Sequence, residues 1–163
     1  MAATDFSEVS RQAALAGRRI ASQAGAEFHL LHVIDSKDVP ASVIERLAPG
    51  GTLRGEINDA AANRLAAFIK TLGGDSDPMH SHLSWGISSQ EVARMADHLK
   101  IDLLVLGTLG RSGIKGVLLG NTAEKVLDIC NCSILTVKPE GFVSPIEAPF
   151  WPLHPDSLTK SEV

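Results

Sequence analysis

Two runs in this chain, Leu103-Leu104-Val105-Leu106 and Ile134-Leu135-Thr136-Val137, are short and almost wholly apolar. Strands of that kind suit a sheet covered on both faces, which points to parallel strands between helices rather than a one-sided antiparallel sheet. Three further runs, Ala2–Asp5, Glu27–Ile34 and Met79–Trp85, read as strands, and the two apolar runs extend to Asp102–Gly107 and Ser133–Lys138. Stretches of helical spacing separate all five, which is the alternation of a layered α/β domain.

The helical stretches each carry one apolar stripe. Val9, Ala13, Ala16 and Ile20 form the first, and Ile57, Ala61, Leu65, Phe68 and Leu72 the second, with Gly25 and Gly73 as stops. Ser88-Ser89-Gln90-Glu91 predicts a capping box, followed by a buried set of Val92, Met95, Ala96 and Leu99. Asn121-Thr122-Ala123-Glu124 opens the fourth helix by the same logic, with Val126, Leu127 and Ile129 expected inside. Ser36–Gly55, with Pro40, Pro49, Gly50 and Gly51, is the longest connection, a lid candidate with a short helix expected around Val43–Leu47.

With 163 residues, 44% hydrophobic and 21% charged, the chain has material for one core and lies outside the disordered range. The domain is expected over residues 1–140. Beyond it, 141–163 carries Pro145, Pro149, Pro152 and Pro155 with Phe142, Phe150 and Trp151, and cannot continue the helix–strand pattern. This tail reads equally as a loose end or as an aromatic arm that docks on the body or a partner. The first strand is short for a central one, as a late start or a cut from a longer chain with an upstream domain would make it. Nineteen acidic against 15 basic side chains give a net charge of −4, which argues against nucleic acid as a partner. No apolar run reaches the roughly 20 residues of a membrane-spanning helix, and no signal-peptide pattern opens the chain, so the reading is cytoplasmic, with no membrane partner. Cys130 and Cys132 are the only cysteines and read as reduced packing thiols.

The densest chemistry lies in Leu104–Ala123. This stretch holds Gly107, Gly110, Gly113, Gly116 and Gly120, the basic Arg111 and Lys115, and no acid. It runs from the end of an apolar strand to a helix start, where glycines admit a ligand to the backbone and unpaired N–H groups face an anion. The exposed dipole contributes only about 0.3–1 kcal/mol, so several N–H groups must converge. Hydroxyls of Thr108, Ser112 and Thr122 are available to join them. The pattern is neither a P-loop nor a dinucleotide fingerprint, because the Lys-Ser/Thr pair and the first-turn glycines are missing.

Ala3-Thr4-Asp5-Phe6-Ser7-Glu8, Leu30-Leu31-His32-Val33-Ile34-Asp35 and Gly107-x2-Gly110-x9-Gly120 resemble the universal stress protein family over Ala2 to about Pro139. Gly-Asn-Thr-Ala-Glu-Lys-Val and Val-Lys-Pro-Glu-Gly-Phe resemble its E-type subgroup, often built as two domains in tandem. The resemblance implies a five-stranded parallel sheet in Rossmann-like order 3-2-1-4-5 with helices on both faces. It also implies ATP as ligand, with or without Mg²⁺. Carried over, Asp5 and Val33 face the adenosine, Leu106 and Gly107 flank the ribose, and Gly110, Gly120, Asn121 and Thr122 hold phosphates, with Arg111 a phosphate partner by charge. Asn121 stands where the family's nucleotide binders usually have Ser or Thr. The implied role is a regulatory stress-response module, paired as a homodimer or tandem pseudo-dimer through Ser133–Lys138. The alternative is a dimeric scaffold, or a binder of another small ligand, without ATP.

Asp5 has a second reading, as a cap of the turn that follows it, and Asn121 with Glu124 reads as a capping pair. Of the histidines, His29 and His32 point to opposite faces, while His80 and His82 share one and are the pair spaced to chelate. They read as ordinary sheet histidines rather than a zinc site. No nucleophile–base or paired-carboxylate arrangement is legible, so no catalytic residue is assigned, and slow ATP hydrolysis is the most that is expected.

Overall fold

A computed structural model describes residues 1–35, 37, 39, 52–73, 79–108 and 120–142. The expected helix at Val43–Leu47, most of the lid candidate, Gly110, Arg111 and the tail beyond 142 lie outside them. In chain order the elements are β1 (Ala2–Thr4), α1 (Glu8–Ala24), β2 (Phe28–Asp35), α2 (Thr52–Thr71), β3 (Met79–Gly86), α3 (Ser88–His98), β4 (Leu103–Gly107), α4 (Asn121–Ile129) and β5 (Ser133–Val137). The strands form one parallel sheet in the order β3-β2-β1-β4-β5, as expected. The chain first steps outward from β1 to β3 and then restarts on the other side at β4. The order therefore reverses between β1 and β4.

Alternation along each strand divides the core in two. Ala2, Phe28, Leu30 and Val105 meet α1 and α2 through Ala13, Ala14, Leu65, Phe68 and Leu72. Leu31, Val33, Leu104 and Leu106 meet α3 and α4 through Val92, Ala96, Ala123 and Val126 on the opposite face. Leu30, Leu31, Leu104, Val105 and Val126 are the largest side chains with essentially no exposure. No helix of the described residues is long and apolar enough to cross a membrane.

The apolar stripe of α2 is where the spacing put it, but that of α1 is rotated. Its buried residues are Ser10, Ala13, Ala14, Gly17, Arg18 and Ala21, while Ile20 is 37% exposed. The reason is close approach. A methyl group at Gly17 would sit 3.0 Å from the Phe28 ring and 3.2 Å from Val105 Cγ2, so α1 packs through its smallest residues and turns Ile20 outward. Arg18 is buried with it and donates from Nη1 to the carbonyls of Leu72 and, at 2.9 Å, Gly73. A side chain of α1 thus satisfies the C-terminal carbonyls of α2.

Two capping expectations are corrected. The N-cap of α3 is Ile87, without a side-chain bond. Instead Asp35, at the end of β2, accepts from Ser88 N at 2.9 Å and from Ser88 Oγ at 2.7 Å. Glu91 turns away to Ser84 and Arg94. The N-cap of α4 is Gly120, again without a side-chain bond, so Asn121 and Glu124 are not a capping pair. The buried set of α4 is also narrower than its sequence suggested. Ala123 and Val126 reach the sheet, while Leu127 and Ile129 are 45% and 47% exposed, because α4 lies over the sheet margin at β4 and β5.

Cys130 and Cys132 are free and half-buried, with sulfurs 3.4 Å apart. Burial, together with the hydrogen bond between them, pushes the Cys132 thiol up to about 11.

Candidate functional site

The reversal between β1 and β4 opens a crevice at the carboxyl ends of the strands, the place where parallel α/β sheets bind ligands. It encloses about 580 Å³. Its floor is β1, β2 and β4, and its walls are the turn into α1 and the starts of α3 and α4.

The β1–α1 turn is fixed by short polar side chains. Asp5 Oδ1 accepts from Ser7 N at 3.0 Å, and Ser7 Oγ caps α1 by accepting from Ser10 N at 3.2 Å. Thr4 and Ser10 share a hydroxyl hydrogen bond of 2.9 Å, and Thr4 Oγ1 accepts from Phe6 N at 3.0 Å. These bonds hold Phe6 at φ 66, a left-handed conformation that a bulky residue rarely adopts. The Phe6 ring then lies 4.1 Å from that of His32, centroid to centroid, and under the Arg64 guanidinium at 4.6 Å. The turn therefore presents Asp5 at the crevice, and the short-range turn role and a position at the mouth coexist.

Seven of the nine residues singled out in the sequence line this crevice together: Asp5, Val33, Leu106, Gly107, Gly120, Asn121 and Thr122. Gly110 and Arg111 fall in 109–119, outside the described residues; of the two residues that flank it, Gly120 lines the crevice and Thr108 is bonded to it. Gly120 N donates to Thr108 O at 2.6 Å, and Thr108 N to Val137 O at 2.9 Å. Gly107 has a packing reason of its own. A methyl there would meet Val9 Cγ1 at 2.9 Å and the Val9 carbonyl carbon at 3.2 Å, so α1 requires a glycine at the end of β4 whatever the crevice holds.

The first-turn amides of α4 are the feature best suited to an anion. The first four N–H groups of a helix have no partner within it. Ser7 caps α1 and Asp35 serves α3, but the N-cap of α4 is Gly120, and among the described residues no side chain caps that helix. Its first residues, Asn121, Thr122 and Ala123, line the crevice. The positive end of α4 is thus aimed at the cavity.

The lining residues that went unassigned in the sequence include His32, Asp35 and Ser88. His32 is 8% exposed, with Nδ1 2.8 Å from Thr4 O. Asp35 and Ser88 form the opposite rim. Burial alone would raise the Asp35 carboxyl, but the Lys37 amide and the Ser88 hydroxyl and amide outweigh it and hold the group below the usual Asp range. The signal for His32 and Asp35 was their place at the end of an apolar strand. Locally Ser88 was marked only as a helix start, because the partner that brings it to the crevice lies 53 residues away.

The sequence model of the universal stress protein family matches residues 1–138. Universal stress protein E of Escherichia coli K12 is 40% identical over 93 residues, which cover 55% of this chain and 29% of that protein. The match thus spans less than a third of the E-type relative. Among solved structures, that of the hypothetical protein MJ0577 has a TM-score of 0.73 at 27% identity, covering 86% of this chain and 94% of that one. A universal stress protein in complex with cAMP has a TM-score of 0.52 at 25% identity, covering 83% and 92%. With the family match running from the first strand through the last and a parallel sheet in the order β3-β2-β1-β4-β5, this chain belongs to the universal stress protein family and is related to its E-type members.

Proposed function

We propose that the chain is a regulatory stress-response module of the cytoplasm that binds ATP in the crevice, and that nucleotide occupancy biases its conformation or its choice of partner. The observation that carries this reading is the uncapped start of α4 facing a cavity of about 580 Å³ at the point where the strand order reverses. A triphosphate is an anion that those amides can hold. In this reading Asp5 and Val33 face the adenosine and Leu106 and Gly107 the ribose. Gly120, Asn121 and Thr122, with Gly110 and Arg111, take the phosphates. Mg²⁺ would enter on the phosphates, with Asp5 the carboxylate at the mouth. The cAMP bound by a structural relative supports an adenine nucleotide as the ligand class.

Pairing through β5, as a homodimer or a tandem pseudo-dimer, completes the proposal. Among the described residues β5 is hydrogen-bonded to β4 alone, and Leu135 on it is 36% exposed. A free strand edge with an exposed apolar side chain invites a second copy.

The test is calorimetric titration of MgATP into nucleotide-free protein, with Gly120→Val as the control. Gly120 has φ −73 and ψ 150, which a β-branched residue adopts readily, so the variant folds while its side chain adds bulk at the crevice. Micromolar binding, about −8 kcal/mol, is expected for the parent chain and a large loss for the variant. Absence of heat in both, with both folded, overturns the ATP reading in favour of a scaffold or a binder of another small ligand. Asn121 in place of a hydroxyl residue is the feature that favours that second reading.

A further inference from the structure

Far from the crevice, at the amino-terminal ends of β2 and β3, three imidazoles meet. The register pairs His29 with His80 and Leu31 with His82, so all three histidines fall on one face of the sheet. His29 Nδ1 lies 3.0 Å from His82 Nε2. The rings of His80 and His82 lie 4.9 Å and 5.2 Å from that of His29, both stacked. The chelating pair is therefore not the His80–His82 pair of one strand but a cross-strand pair built by the register.

We infer that His29 and His82 form a binding site for a borderline divalent transition-metal ion, Cu²⁺ before Ni²⁺ or Zn²⁺. Two observations support it. Two imidazole nitrogens 3.0 Å apart are at the separation that neighbouring ligands take at bond lengths of about 2.0–2.1 Å. The remaining nitrogen of His29, Nε2, faces the Glu27 carboxylate at 3.5 Å. A carboxylate there favours the proton on Nε2 and leaves Nδ1 with its lone pair toward His82, the carboxylate–histidine arrangement that supports metal ligands. Entry of the metal replaces the hydrogen bond between the two rings. The one N–H that bridges the two rings moves to the other nitrogen of its own ring.

Among the described residues no group of three His, Cys, Asp or Glu side chains converges on one point. The protein therefore supplies two nitrogens and leaves the other positions to water. Imidazole donors with open positions suit Cu²⁺ best in the usual order of divalent affinities. His80 stacks on the ligand ring and shields one side of it, and Glu27 acts through His29; both are positioning residues.

The experiment is titration of tag-free full-length protein with Cu²⁺, followed by calorimetry and by electron paramagnetic resonance, which reports nitrogen ligands directly. One ion per chain with nitrogen coupling is expected. His29→Gln and His82→Gln each weaken binding at least ten-fold, Glu27→Gln weakens it by about ten-fold, and His98→Gln on α3 leaves it unchanged. Circular dichroism of each variant establishes that it folds. Absence of binding at about 100 μM Cu²⁺, a free energy near −5.5 kcal/mol, overturns the site. So does binding that survives both His29→Gln and His82→Gln, which places the ion elsewhere.

Discussion

Arg18 shows how far a single residue departs from its sequence signal. It sits on α1 beside Gly17 and carries a charge, yet it is 9% exposed and closes the end of α2 through the carbonyls of Leu72 and Gly73. Hydrogen bonds from a charged donor to buried acceptors are among the stronger ones, and an acceptor stripped of its donor keeps its desolvation cost. Arg18→Met preserves apolar bulk and removes the donor, so we expect a loss of about 2 kcal/mol in urea unfolding. Arg18→Lys should recover part of it. A change within about 0.5 kcal/mol, as at an ordinary surface site, would refute this role.

At the scale of elements, β2 and α3 are joined by one carboxylate. Asp35 ends β2 and accepts both the amide and the hydroxyl of Ser88 at the start of α3, so it replaces the local capping box that the sequence advertised. Asp35→Ala should cost about 1 kcal/mol, the ordinary value of a lost cap. The pH dependence follows from the lowered Asp35 pKa. The folded chain holds the carboxylate more acidic than the unfolded chain does. The stabilisation is therefore complete above the ordinary Asp range and disappears as pH falls through the folded value. Denaturant midpoints of parent and Asp35→Ala should differ at pH 7 and converge in acid, and a gap that persists at low pH would rule the carboxylate out as its source.

For the whole molecule, the proposed pairing through β5 makes Leu135 the residue to change. It is 36% exposed on a strand that, among the described residues, is hydrogen-bonded to β4 alone. Leu135→Glu places two like charges across a two-fold axis and should convert a dimer to monomers in sedimentation at micromolar concentration. A monomeric parent chain, or a variant of unchanged mass, counts against that interface.

The sequence by itself determined the five strands, but the inference of burial on both faces holds for Leu103–Leu106 in β4 and not for Ile134–Val137, since β5 is an edge strand whose residues are mostly exposed. It also determined which strand ends and which helix start meet in the crevice, since Asp5, Val33, Leu106 and Gly120 each lie at a carboxyl end or helix entrance. Periodicity failed where it depended on a neighbour. The stripe of α1 was misread because Gly17 carries no hydropathic signal, yet its missing side chain decides which face approaches Phe28 and Val105. Leu127 and Ile129 were placed inside because no local feature tells a helix that it covers a sheet margin. The His29–His82 contact and the Asp35–Ser88 cap join residues 53 apart. Only tertiary structure decides such pairs, because strand register and helix docking, not sequence spacing, bring their atoms within reach.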